Sequence, residues 1–344
     1  MSGATQRGSG RASGADTFRA GVLPSGDWRP TASAATLARR AALLARARAF
    51  FAHRGVLEVD TPLLVGVAVT DVHIHSARVE LEPGAPALHL ASSPEYAMKR
   101  LLAAGNGDIY QIAHVVRAGE RSPVHNPEFT LVEWYRLGFT LDALMSEVEA
   151  LARELLGAHA ASRRSERITY RDAFLRELKL DPLTAQIAEL ERAASRRGLI
   201  APAQKERDVL LDFLMAAVIG PTLGLEALTF IHGYPASQAA LAELDPDDTR
   251  VAQRFELYCD GIELANGFRE LASSAEQRAR FEHDRRERAG AGLPVPAIDE
   301  RLLAALDAGL PACSGVALGF DRLLMIALGA RHIDEVLAFP IERA

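Results

Sequence analysis

The sequence predicts an α+β fold in which an antiparallel sheet carries helices packed against it. Strand-like runs at 110–117, 128–136, 228–233, 254–259, 262–266 and 314–318 follow one another in hairpin-like succession instead of alternating strictly with helices. Asp260-Gly261 between two of these runs is the residue pair that a two-residue hairpin turn prefers. With 344 residues, 49% of them hydrophobic, the chain is long enough to bury one large core.

Composition narrows the function classes. A formal charge of -6 does not suit a protein that relies on broad phosphate neutralisation to hold nucleic acid. The two cysteines, Cys259 and Cys313, are too few for a disulfide framework and lack metal-ligand spacing, which fits a reduced, cytoplasmic setting. No apolar run is long enough to span a bilayer, and the N-terminus lacks an apolar signal core.

In chain order, residues 1–31 begin rich in Gly, Ser and Arg with little to bury and read as a flexible tail. Residues 32–344 read as a single catalytic-size domain. Ala32 to His53 is predicted helical, with Gly55 as a stop. Val56 to Val65 follows as a strand that Pro62 confines to an edge or a bulge. Further helical patterns fall at 141–157, 171–179, 186–198 and 208–219.

Four stretches carry chemistry. In "HNPEFTLVEWYR", alternation puts Phe129, Leu131, Glu133 and Tyr135 on one face of a strand and Thr130, Val132 and Trp134 on the other. Read structurally, Phe129 and Tyr135 are core and Glu133 is half of a buried ion pair. The preceding loop favours a site instead, because Arg117, Glu120, Arg121 and His125 crowd its ends, and arginine forks suit phosphate.

In "FELYCDGIELANGFREL", strict hairpin register sets Cys259 opposite Ile262, Tyr258 opposite Glu263 and Leu257 opposite Leu264. Glu256 and Glu263 then share a face roughly 7 Å apart. Their repulsion would be relieved by a cation such as Mg²⁺ beside a phosphate-bearing ligand. The bland alternative is a pair of solvated glutamates. Alternation turns Asn266 away from Glu263 unless a bulge at Gly267 re-aims it.

In "CSGVALGFDRLLMIALG", a small-residue strand enters a helix with Arg322 in its first turn, where a cation opposes the helix dipole. Either Asp321 or a bound polyphosphate compensates, and Gly315 and Gly319 leave room for a ligand to approach. Finally, "ASSPEYAMKRLL" starts a helix at which Ser92 and Glu95 match capping-box spacing; Glu95 pointing at a ligand ammonium is the other reading.

These stretches in this order resemble the catalytic core of class II aminoacyl-tRNA synthetases. "GVLEVDTPLL" is similar to the first class motif, "VVRAGERSPVHNPEFTLVEWYR" to the second and "GVALGFDRLL" to the third. Within the lysyl branch, "SSPEYAMKRLL", "YPASQAALA" and "GIELANGFREL" resemble the stand-alone ligases that attach (R)-β-lysine to elongation factor P.

The resemblance implies a class II synthetase catalytic fold, with ATP and Mg²⁺. It implies that Arg117 and Arg322 are catalytic. ATP would be bound by Arg117, Ala118, Gly119, Glu120, His125, Asn126, Phe129, Glu256, Leu257, Gly319 and Arg322. Ser93, Pro94, Glu95, Glu133, Tyr135, Glu263, Asn266 and Ala317 would line the amino-acid pocket, and Glu256 and Glu263 would hold the metal.

Two departures from the lysyl pattern stand out. Arg117-Ala118-Gly119-Glu120 replaces an Arg-Asn-Glu opening, and Ala317 stands where lysyl-tRNA synthetases carry glycine and the ligases carry alanine. One added methyl in a tight pocket separates isomers by about 1–3 kcal/mol. Only about 30 residues precede the first predicted helix, so no anticodon-binding domain is expected there and tRNA is not the expected acceptor. A homodimer is implied by the family's use of the first motif at a two-fold interface. Charging of tRNA, or ligation of α-lysine to the same partner, are the alternatives.

Overall fold

The structure, a computed structural model, describes residues 28–202 and 206–344. The strands are β1 (Leu57–Glu58), β2 (Leu64–Val65), β3 (Arg78–Val79), β4 (Leu88–Leu90), β5 (Ile109–Val116), β6 (Glu128–Leu137), β7 (Arg164–Thr169), β8 (Ala227–Pro235), β9 (Val251–Cys259), β10 (Ile262–Arg269) and β11 (Cys313–Gly319). The helices are α1 (Ala34–Ala52), α2 (Glu95–Ala103), α3 (Leu141–Leu156), α4 (Ala158–Ala161), α5 (Tyr170–Leu178), α6 (Ile187–Arg196), α7 (Arg207–Leu214), α8 (Ser274–Gly290), α9 (Glu300–Gly309) and α10 (Phe320–Leu328).

Eight strands form one sheet in the order β1-β5-β6-β11-β10-β9-β8-β7. The inner pairings are antiparallel, as the hairpin-like sequence pattern predicts. The outer strands β1 and β7 pair in parallel with β5 and β8, so the sheet is mixed at its edges. The predicted strand from Val56 to Val65 divides in two: β1 sits on the edge of the large sheet and β2 joins β4 and β3 in a separate small one.

Alternation on β6 sorts side chains as its sequence predicts. Val132 and Trp134 enter the main core with Phe51, Leu144, Val148 and Leu324, where α1, α3 and α10 cover one sheet face. Trp134 Nε1 donates to Glu147 Oε2 at 3.1 Å, satisfying the one polar atom of a fully buried indole. Ser33 caps α1 by accepting from Thr36 N at 3.1 Å. A second core lies among α5, α6, α7 and β8, and a third where α2, α9 and Phe281 of α8 meet.

Asp260 and Gly261 have φ of 53° and 73°, the two left-handed conformations of a type I′ hairpin turn. Both cysteines are free and buried. Among the described residues, no helix is long and apolar enough to cross a membrane. Most of the predicted tail, residues 1–27, lies outside the described residues. Where description begins the chain runs beside its own C-terminal segment: Thr31 N donates to Ala338 O at 2.8 Å and Ala32 N to Leu337 O at 3.1 Å.

Candidate active site

On the sheet face opposite the main core lies a cavity of about 1150 Å³. It is lined by Ser93, Glu95, Arg117, Glu120, His125, Asn126, Phe129, Glu133, Tyr135, Glu263, Asn266, Ala317, Gly319 and Arg322, residues that come from four stretches far apart in the sequence. Strand order explains the convergence: β6, β11 and β10 are neighbours, and Ala317 lies opposite Glu133 on one side and Asn266 on the other.

One end of the cavity is rich in guanidinium donors. Arg117 follows β5, its Nε donating to the Ser92 carbonyl at 3.2 Å and its guanidinium 5.2 Å from the Phe129 ring centroid. Arg322 donates to the Glu263 carbonyl at 3.0 Å and to the Val124 carbonyl at 3.3 Å. It also contacts His125 Nε2, while His125 Nδ1 lies 2.7 Å from Ser122 Oγ. Burial, then Arg322 and Arg117, push the His125 imidazole down to about 4. The ring is therefore neutral near pH 7; Nε2 accepts from the guanidinium and Nδ1–H donates to Ser122. Asn126 spends its carboxamide on the frame, donating to Glu128 O at 2.6 Å and accepting from Ile341 N at 3.1 Å.

The other end is rich in carboxylates. Glu133 is buried on the floor, accepting from Tyr135 Oη at 2.8 Å and from Ser93 Oγ at 2.9 Å. Desolvation, with Glu95 adding to it, pushes its carboxyl up to about 8. Lys99 Nζ sits between Glu95 Oε1 at 2.8 Å and Glu270 Oε2 at 2.6 Å. Burial and Glu95 push Glu270 up to about 7 against the opposing pull of Lys99. Two carboxylates thus share one protein ammonium, with the Glu133 carboxyl close enough to feel both, in a water-poor recess that a polycationic ligand would complete.

Several expectations need correction. The hairpin carries its bulge at Leu264, not Gly267: Tyr258 pairs with Glu263 as predicted, but Leu257 pairs with Ala265 and Glu256 with Asn266. This extra residue turns Asn266 to the face of Glu263. Glu256, expected to share an ion with Glu263, is not in the cavity wall; Arg254 holds its Oε1 at 2.5 Å and Tyr258 its Oε2 at 2.8 Å. Leu257 points its side chain into the main core.

Pro94, Ala118 and Gly119 also lie outside the wall, Ala118 N being tied to the His75 carbonyl at 2.7 Å. The Ser92–Glu95 capping box does not form: Ser93 Oγ accepts from Glu95 N at 3.0 Å, and the Glu95 carboxylate goes to Lys99. Asp321 does not compensate Arg322. It pairs with Arg40 of α1 and accepts from Thr130 N at 2.7 Å, leaving Glu263 and the carbonyls to meet Arg322. The space at Gly315 is taken by the protein itself, since a Cβ there would lie 2.3 Å from the Tyr135 ring and 2.5 Å from Glu270 Oε1.

Sequence reasoning missed Lys99, Arg254, Glu270 and Gln277, which also belong to this site or its wall. Lys99 is signalled by its i,i+4 spacing from Glu95. Asn266, Phe268 and Glu270 share a face by simple alternation once the bulge is placed.

A sheet of this order, the second and third of the three motifs meeting on its open face, and an arginine-rich end joined to an acidic one define a class II synthetase-type active site. The family model for class II tRNA synthetases (D, K and N) matches residues 25–343, and the chain belongs to that family. It is 51% identical to the elongation factor P–(R)-beta-lysine ligase of Proteus mirabilis over 324 residues, 92% of this chain and 98% of that one. It is also 51% identical to the ligase of that name from Vibrio cholerae over 328 residues, covering 94% and 100%.

Proposed function

We propose that this protein is an ATP-dependent, AMP-forming ligase that activates (R)-β-lysine as its adenylate and passes the acyl group to the ε-amine of a lysine on elongation factor P. The observation that carries the reading is the acidic recess around Lys99, where Glu95, Glu133 and Glu270 outnumber the single ammonium beside a pair of arginines. A substrate with two ammonium groups and one carboxylate matches both ends.

In the first step a substrate carboxylate oxygen attacks the α-phosphorus of ATP and pyrophosphate leaves. Arg117 would hold the α-phosphate and Arg322 would lie against the nucleotide with Phe129, so the chain contributes position and charge more than proton transfer. In the second step the neutral ε-amine of the acceptor attacks the acyl carbon, AMP leaves, and the nitrogen loses its proton as the amide forms.

Mg²⁺ fits the donor set at Glu263, which lines the cavity with its carboxyl raised by burial and by Glu256, a condition a cation relieves. Bound there, the ion would neutralise part of the triphosphate charge. Glu256 keeps both oxygens on Arg254 and Tyr258, on the same sheet face as Glu263. The reading also carries a homodimer built on the first motif and a cytoplasmic location beside the translation apparatus.

Amino-acid-dependent exchange of pyrophosphate into ATP tests the first step. The wild-type protein is expected to catalyse it with (R)-β-lysine and Arg117→Ala to lose it by about 100-fold or more. Near-normal exchange by Arg117→Ala would contradict the assignment.

A further inference from the structure

The Leu264 bulge delivers Asn266 to the active-site face, where one side chain fixes which way its carboxamide points. Arg254 on β9 donates from Nε to Asn266 Oδ1 at 3.3 Å, from Nη1 to the Gln238 carbonyl at 2.8 Å and from Nη2 to Glu256 Oε1 at 2.5 Å. Its ring-face contact with Tyr234, 4.3 Å to the centroid, holds the guanidinium in this plane. Three anchors on three different strands or turns leave it no freedom to swing.

The chemistry then runs one way. A guanidinium has only donors, so the Asn266 atom facing it must be the carbonyl oxygen, and the NH₂ group is left on the side of the carboxamide away from Arg254. Asn266 lines the cavity. An NH₂ group donates, and the ammonium groups of a diamino acid also only donate, so the NH₂ that Asn266 turns away from Arg254 cannot serve them. The one group of such a substrate that it can serve is the carboxylate.

We infer that Arg254 is a positioning residue for substrate polarity: it locks Asn266 as a donor, so that the amino acid enters with its carboxylate toward Asn266 and Arg117 and its ammonium groups toward Glu95, Glu133 and Glu270. The inference rests on the proposed amino-acid activation. It adds that orientation is set by a cavity-wall side chain acting through the carboxamide of Asn266. It also gives Glu256 a role distinct from ion binding, as the anchor that holds the guanidinium in place.

The test is steady-state pyrophosphate exchange with Arg254→Gln, Arg254→Lys and Asn266→Asp. KM does not depend on the folded fraction, so partial instability does not obscure it. Exchange by the wild-type protein, dependent on added (R)-β-lysine, tests the parent reading separately and before any variant is compared.

Glutamine offers both donor and acceptor and frees the carboxamide to flip. Arg254→Gln is expected to raise the amino-acid KM about tenfold or more while the ATP KM moves less than about threefold. Lysine, another donor-only cation, is expected to restore most of the loss. Asn266→Asp keeps the partner of Arg254 but presents an acceptor to the carboxylate, and its amino-acid KM is expected to rise at least as far. An unchanged amino-acid KM in Arg254→Gln, or equal rises in both KM values, overturns the inference. If Arg254→Gln yields no folded protein, a wild-type amino-acid KM in Asn266→Asp overturns it equally.

Discussion

Lys99 Nζ lies 2.6 Å from Glu270 Oε2, and both side chains are only 1% exposed. Helix α2 is thereby joined to the end of β10 beneath the active site, and Glu95 completes the cluster at 2.8 Å. Removing one partner of a buried pair leaves an uncompensated charge, which costs about 3–5 kcal/mol. Lys99→Met is therefore expected to lower the unfolding free energy by about that amount in urea denaturation. Adding Glu270→Gln should recover a large part of it, because the stranded carboxylate is gone. Additive losses in the double variant would show that the pair does not act as a unit.

The raised carboxyls give a pH signature. Glu133 is pushed from the ordinary 4.5 up to about 8, so between those values the folded protein holds a proton that the unfolded chain has released. Its contribution to stability is present in full below pH 4.5 and is lost as pH rises through about 8. Glu270, raised to about 7, acts in the same direction over a lower window. Glu133→Gln, neutral throughout, is expected to match the wild type near pH 5 and to gain on it progressively toward pH 9, read as the difference in melting temperature. A pH-independent difference would contradict the assignment.

Much of this site is legible in the sequence, and what is not has identifiable causes. The face of β6 follows from alternation because one side meets a core rich in Trp134, Val132 and Phe51 and the other meets polar groups. The bulge is hidden because Leu264 and Ala265 are both buried, at 2% and 1% exposure, so hydrophobicity gives no parity there. Helix α8 is hidden for the opposite reason: among its charged residues only Gln277, Phe281 and Arg288 are buried, too sparse a stripe to register as a helical period. A strand of two residues such as β3 leaves no periodic trace, and the division of Val56–Val65 into β1 and β2 is equally hidden. The commitment of Glu256 to Arg254 and Tyr258, and of Asp321 to Arg40, depends on which strands and helices become neighbours, and that is tertiary information.

Gly315 is a steric control point. A methyl there would meet the Tyr135 ring at 2.3 Å and Glu270 Oε1 at 2.5 Å; the first is held by its bond to Glu133 and the second by its pair with Lys99. Gly315→Ala is expected to cost about 1–3 kcal/mol in stability and to abolish amino-acid-dependent exchange. ATP binding, followed by fluorescence of a nucleotide analogue, should survive. Wild-type exchange by this variant would mean that the pocket floor is softer than its contacts imply.

His125 is held neutral by burial and, after it, by Arg322 and Arg117, with its pKa pushed down to about 4. The pH profile of kcat/KM for exchange is therefore expected to lack a limb near 6.5 belonging to this ring. Replacing it with asparagine should change the magnitude of kcat/KM without removing an ionisation between pH 5 and 8. A limb near 6.5 that disappears in His125→Asn would contradict the geometry.

The most direct measurement is intact-mass spectrometry of elongation factor P after incubation with this protein, ATP and Mg²⁺, with (R)-β-lysine or α-lysine in parallel. The expected result is a mass gain of one lysyl residue with (R)-β-lysine, dependent on ATP and lost with Arg117→Ala. An unmodified acceptor with (R)-β-lysine, in a reaction where the same protein charges tRNA with lysine, would contradict the central claim.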